Sequence, residues 1–295
     1  MIRQNLLTTI FIICFAIFSP AVAQEEAEES AERRVEQSVE QRIDVNKTSD
    51  IRYGNDPRNL LDIYHPQDAK NAPVILMVHG GAWRKGDKTN QSVVENKMEK
   101  WTQERFIFVS TNYRLHKTQP YNQAQDVRRA ILYIQKNIAN YGGNPNDIIL
   151  MGHSSGAHLV ALVNVRPQLA YNMGVTPWKG AVILDTDALD VVSLMKAPHP
   201  SFYDNVFGSK LYDWTKSSPR AQLKENAFPM LLVCSSKRRT ACDTAEEFSK
   251  YARTLNVKAR VMPQDLSHKD INRYLGIDNE YTQKVDEFIQ ELLSN

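Results

Sequence analysis

Ser154 lies at the centre of Gly152-His153-Ser154-Ser155-Gly156, which fits a G-x-S-x-G frame. A serine in that frame can act as a nucleophile when a strand leads into it and a helix leads away. The sharp turn between them presents the hydroxyl at a sheet edge. The stretch "NDIILMGHS" reads as a short buried strand, and "GAHLVALVN" reads as a packed helix. The flanking glycines suit a turn too crowded for Cβ atoms. The competing reading is a turn that merely needs small residues. A lone pentapeptide does not decide between them.

A serine hydroxyl is a weak nucleophile, so acyl chemistry also needs a base, an acid to orient it and donors for an oxyanion. "VHGGAWRKGD" follows another apolar run. Its His79-Gly80-Gly81 fits an H-G-G-type loop in which the backbone N–H groups of Gly81 and Ala82, with that of Ser155, face one oxyanion.

Apolar runs and amphipathic stretches alternate along the chain. "LLDIYHP", "APVILMVHG", "FIFVSTNYR", "DIILMGHS", "GAVILD", "PMLLVCS" and "VKARVMP" read as strands. "NQSVVENKMEKWTQE", "YNQAQDVRRAILYIQKNIANYG", "GAHLVALVN", "CDTAEEFSKYARTL" and "YTQKVDEFIQELL" read as helices. Continuous Val, Ile and Leu runs between helices predict an α/β fold with a mostly parallel sheet covered on both faces. Ligands in such sheets sit beyond the strands' carboxyl ends, where Ser154 falls. An aromatic-rich insertion at about 188–227 is too long for a plain connection and reads as a lid or binding segment. Its aromatics either line an acyl or aryl pocket or fasten the insertion to the body.

The 295 residues carry 36 Lys and Arg against 34 Asp and Glu, with no basic stripe that would suit nucleic acid. Residues 1–23 combine Arg3, an apolar run from Leu6 to Phe18 and Ala21-Val22-Ala23. That pattern predicts a secretory signal peptide rather than a stable membrane span, and hence a periplasmic or secreted protein. Cys14 sits inside the apolar run, without the small residues that precede a lipidated cysteine. Residues 24–46 read as a charged, solvated linker, and 47–295 as one domain. Cys234 and Cys242 remain after processing. An even pair in an exported chain predicts a disulfide, against two unpaired buried thiols.

"HGGAWRKGDK", "VSTNYRL" and "QAQDVRRAILYIQKNIANYGGNPNDIILMGHSSGAHLVAL" together resemble the α/β-hydrolase fold. Within it they are similar to the esterase/lipase branch that includes kynurenine formamidase-like and feruloyl-esterase-like carboxylesterases. The resemblance implies an eight-stranded, mostly parallel sheet with the insertion after the sixth strand. It also implies a Ser-His-acid triad and acyl transfer to water, without a metal or organic cofactor. In that chain order the base is His268, just beyond "VKARVMP", while His153 and His158 flank the turn as packing residues and His199 lies in the insertion. The acid is where the chain departs from the family, since the loop after the seventh strand, "CSSKRRTAC", holds no carboxylate. Asp185, directly after "GAVIL", is the preferred acid, as in lipases of the pancreatic type. Asp243 is the alternative, although Asp243-Thr-Ala-Glu246 has the form of a helix cap. Asp187 and Asp265 are further candidates.

The expectation is an exported serine hydrolase acting on small or medium acyl esters. An arylformamidase or other amidase is the rival within the same chemistry. A non-catalytic binding protein on a hydrolase scaffold is the rival outside it.

Overall fold

The computed structural model describes residues 42–115 and 118–294. The expected signal peptide and most of the expected linker lie outside these residues. The compact unit begins at Ile43, four residues before the expected boundary, and its first strand, β1 (Val45–Arg52), starts in what reads as linker. Its polar, largely exposed sequence presents no apolar run, as suits an edge strand.

β1 opens an eight-stranded sheet with β2 (Leu60–Pro66), β3 (Ala72–Val78), β4 (Ile107–Thr111), β5 (Gly143–His153), β6 (Gly180–Leu184), β7 (Met230–Ser235) and β8 (Ala259–Gln264). The order across the sheet is β1-β2-β4-β3-β5-β6-β7-β8. β2 runs antiparallel to both neighbours, and every pair from β4 to β8 is parallel.

Alternation along the buried strands divides the core in two. Val74, Leu76 and Val78 of β3 join one apolar cluster, while Ile75 and Met77 join the other. The helices Pro120–Asn137, Ser155–Asn164 and Arg239–Thr254 supply the first cluster, and Gln91–Gln103 and Glu280–Leu293 supply the second. Helix Ser155–Asn164 is buried along its whole length, so its all-round apolar sequence reflects its place against the sheet.

The insertion folds as four short helices, Val191–Lys196, Phe202–Phe207, Leu211–Ser217 and Pro219–Gln222. Tyr203 and Phe207 are buried against Trp83, whereas Tyr212 is 71% exposed. Among the described residues no helix is long and apolar enough to cross a membrane.

Cys234, the penultimate residue of β7, is joined to Cys242 in the following helix. The link closes a short loop, for which the chain-entropy description gives about 2–3 kcal/mol. Mass spectrometry without reduction should find the pair two hydrogens lighter than two thiols. The Cys234→Ala/Cys242→Ala variant should lose about 2–3 kcal/mol of unfolding free energy in urea titration. Two freely alkylated thiols in non-reduced protein would contradict the bond.

Candidate active site

β5 ends at His153 and the next helix begins at Ser155, leaving Ser154 alone in the turn at φ 56° and ψ −119°. Such a conformation costs a non-glycine residue on the order of 1–3 kcal/mol and persists only when its surroundings hold it. Here the Ser154 amide donates to Leu184 O at 2.9 Å, while Ser154 O accepts from the His158 amide. Two close approaches exclude side chains beside it. A Cβ on Gly152 would meet Gly156 O at 2.5 Å, and one on Gly156 would meet Val78 O at 2.2 Å. The glycines therefore let the helix press onto the sheet, and Ser154 lines an open cleft of about 900 Å³.

Ser154 Oγ lies 3.0 Å from His268 Nε2, and His268 Nδ1 lies 2.5 Å from Asp185 Oδ2. The three come from separate elements. Asp185 is the first residue after β6, at φ 53°, and its amide donates to Val233 O. His268 is the first residue of the helix His268–Tyr274, whose Ser267 cap accepts from the Asp270 amide. Asp185 is fully buried. Burial alone would raise its pKa, but the bonds from His268 and the Ser235 amide and the charge of Arg238 outweigh it and hold the carboxyl below its ordinary range. Asp185 is thus an ionised acceptor that fixes Nδ1–H of the imidazole and leaves Nε2 facing the serine.

The glycine loop closes the other side. Gly80, Gly81 and Ala82 line the same cleft as Ser154. Among the described residues no backbone hydrogen bond uses the amides of Gly81 or Ala82. Ser155 opens its helix, so its amide is one of the unpaired N-terminal donors. Ala82 and Trp83 both have positive φ, at 51° and 60°. Gln123 Nε2 donates to Trp83 O, and Trp83 Nε1 donates to His158 Nδ1 at 3.0 Å. His158 Nε2 in turn donates to Ser217 O in the insertion. Burial drives His158 down to about 4, so a neutral imidazole with one donor and one acceptor links loop, helix and insertion.

The remaining candidates fall elsewhere. His153 is buried and driven down to about 3 by burial and by His268, onto whose carbonyl its Nε2 donates. His199 pairs with Asp204 on the surface of the insertion. Asp243 is not a helix cap, because its helix starts at Arg239, and it is exposed on the fifth helical residue. Asp265 is exposed near Lys237. Asp187 binds Arg238 rather than an imidazole. None of the insertion's aromatics lines the cleft at Ser154; Tyr203, Phe207 and Trp214 pack onto the body, while Phe202 and Tyr212 are exposed. Sequence reasoning missed Ser235, whose amide reaches Asp185 Oδ1, and Arg238, which contacts Asp185, Asp187 and His268. It also missed Tyr113, which stacks on His79 and donates to its carbonyl. Only Arg238 left a trace, as a cation in the loop where a carboxylate is usual.

A family model described as BD-FAE matches residues 61–189. Esterase LipQ of Mycobacterium tuberculosis is 43% identical over 122 residues, which cover 39% of this chain and 28% of that protein. Esterase LipC of the same organism is 34% identical over 204 residues, covering 63% and 50%. The chain therefore matches half or less of the length of these relatives. Among solved structures, a truncated carbohydrate esterase from gut microbiota superposes with a TM-score of 0.74 at 19% identity, covering 87% of this chain and 99% of that one. Esterase B of Lactobacillus rhamnosis superposes at 0.68 and 18%, covering 93% and 94%. The chain has the α/β-hydrolase fold of these solved structures, and residues 61–189 are similar to the BD-FAE family. The BD-FAE match takes in the glycine loop, Ser154 and Asp185 but stops short of Arg238 and His268. Asp185, the carboxylate that meets His268, follows β6, one strand earlier than the place the resemblance implies for a triad acid.

If Asp185 orients the base, Asp185→Asn should lower kcat by about 10³–10⁴-fold, because an amide favours the wrong tautomer. Asp243→Asn should retain wild-type kcat within about twofold. Steady-state hydrolysis of a chromogenic ester by both variants, with melting temperatures as a control, checks the pair. A dead Asp243→Asn beside an active Asp185→Asn would reverse the assignment.

Proposed function

We propose that this protein is a serine carboxylesterase that hydrolyses small or medium acyl esters through an acyl-enzyme. The observation that carries this reading is the unbroken hydrogen-bonded line from Ser154 Oγ through both nitrogens of His268 to Asp185. Esterase relatives and the esterase fold support it.

In this reading Ser154 Oγ attacks the ester carbonyl while its proton passes to His268 Nε2. Asp185 holds Nδ1–H and stabilises the imidazolium that forms. The amides of Gly81, Ala82 and Ser155 receive the oxyanion, already oriented before charge develops. The imidazolium then protonates the departing alcohol, leaving Ser154 acylated. A water activated by the same imidazole releases the acid and restores the serine.

Export belongs to the same proposal. The amino-terminal residues have the composition of a secretory leader, and a disulfide suits an oxidising compartment.

Labelling with a fluorophosphonate probe tests the reading. The wild-type protein should label and turn over short-chain nitrophenyl esters, and Ser154→Ala should do neither. Ser155→Ala should keep at least a tenth of wild-type kcat/KM, because alanine retains the backbone N–H. A parent protein that neither labels nor hydrolyses would instead be a binding protein on a hydrolase scaffold. Faster turnover of matched anilides than of esters would make it an amidase.

A further inference from the structure

We propose that Arg238 is a positioning residue for this site: its guanidinium bridges Asp185 and Asp187 behind His268, fixing the acid and setting the charge that the imidazolium meets. The proposal rests on the acyl-transfer reading and adds to it a residue outside the triad and the oxyanion loop.

Arg238 Nη1 lies 2.6 Å from Asp185 Oδ2, and Nη2 binds Asp187 Oδ2. The same Asp185 oxygen receives His268 Nδ1, so two donors converge on it and Nη1 sits 2.8 Å from Nδ1. Asp185 Oδ1 meanwhile accepts the Ser235 amide at 2.9 Å. The Asp185 carboxylate is thus held on both oxygens, and the planar guanidinium reaches two carboxylates at once, which a lysine's single ammonium does not do in the same fixed geometry. Arg238 itself has little freedom to leave. It lies in the loop between the bonded Cys234 and Cys242, whose stem is tied to the neighbouring edge by Ser235 Oγ to Leu266 O and the Ser236 amide to Gln264 O.

The electrostatic consequence follows from formal charges. Asp185, Asp187 and Arg238 together carry one negative charge, which an imidazolium at His268 brings to zero. Without Arg238 the imidazolium would meet two carboxylates and be stabilised. Without Asp187 it would meet a neutral pair and be less stabilised. Other titratable groups surround this cluster. The His153 ring lies tilted with its centroid 4.6 Å from that of the imidazole, Lys97 and Tyr281 come from the helices beneath, and Tyr203 comes from the insertion. Asp270 follows two residues later in the helix of His268. Burial holds His153 neutral at about 3 and keeps both tyrosines protonated, while Lys97 is driven down to about 7 by burial.

The test is the pH profile of kcat/KM for a nitrophenyl ester, measured on the full chain, on Arg238→Gln, Arg238→Lys and Asp187→Asn. Neutral His268 is the base, so a more stable imidazolium moves the acid limb to higher pH. Arg238→Gln should move it up by roughly one pH unit and Asp187→Asn should move it down. Arg238→Lys, which keeps the charge but not the fork, should leave the limb in place and lower kcat roughly tenfold. A purely structural Arg238 would lower melting temperature without shifting the limbs in opposite directions. An active parent whose limbs stay put, or move together, in both neutralising variants overturns the proposal alone. A parent that neither hydrolyses esters nor labels with fluorophosphonate brings down the acyl-transfer reading, and the proposal with it.

Discussion

The last rungs of the parallel ladder carry everything else in the site. The Ser154 amide donates to Leu184 O, the Asp185 amide donates to Val233 O, and the Ser235 amide donates to Asp185 Oδ1. The first two tie the residue that leaves one strand to the next, from β5 to β6 to β7, and the third returns from the end of β7 to the Asp185 side chain. Ser154 and Asp185 both turn at positive φ as they leave, which an isolated chain would resist. Buried strands on either side, with few ways to shift, make those conformations affordable. The side chains meet because their backbones are already joined.

Most of this scaffold is legible in the residue pattern, and the exceptions have physical causes. β3 to β7 are continuous apolar runs because both of their faces are covered. β1 escapes because an edge strand with one half-exposed face needs no such run. The helices of the insertion span only four to seven residues each, too short for a 3.6-residue period to show. Asp243 reads as a cap from its spacing to Glu246, yet the helix begins four residues earlier, at Arg239. Local signals mark a helix start only when nothing upstream already continues it.

The site shows the same division. Ser154, the glycine loop and His268 can be found from motif and chain order, since each needs a particular local backbone. The surroundings of Asp185 cannot be found that way. Arg238 reaches it across 53 residues of sequence, and only the register of β6 against β7 brings the two loops together. A loop rich in arginine looks like solvated surface when read alone. Its meaning comes from the carboxylates placed opposite.

The chain Trp83–His158–Ser217 has a consequence for how the insertion can vary. In many scaffolds an inserted segment is a module, exchanged without disturbing the chemistry beneath. Here the insertion's backbone is the acceptor for a buried imidazole whose other nitrogen anchors the glycine loop beside Ser154. A replacement segment lacking a carbonyl at that point would leave an imidazole N–H stranded in the interior and slacken the loop. The insertion and the geometry of the glycine loop are therefore coupled through one buried imidazole, and a change in either must preserve that point of attachment.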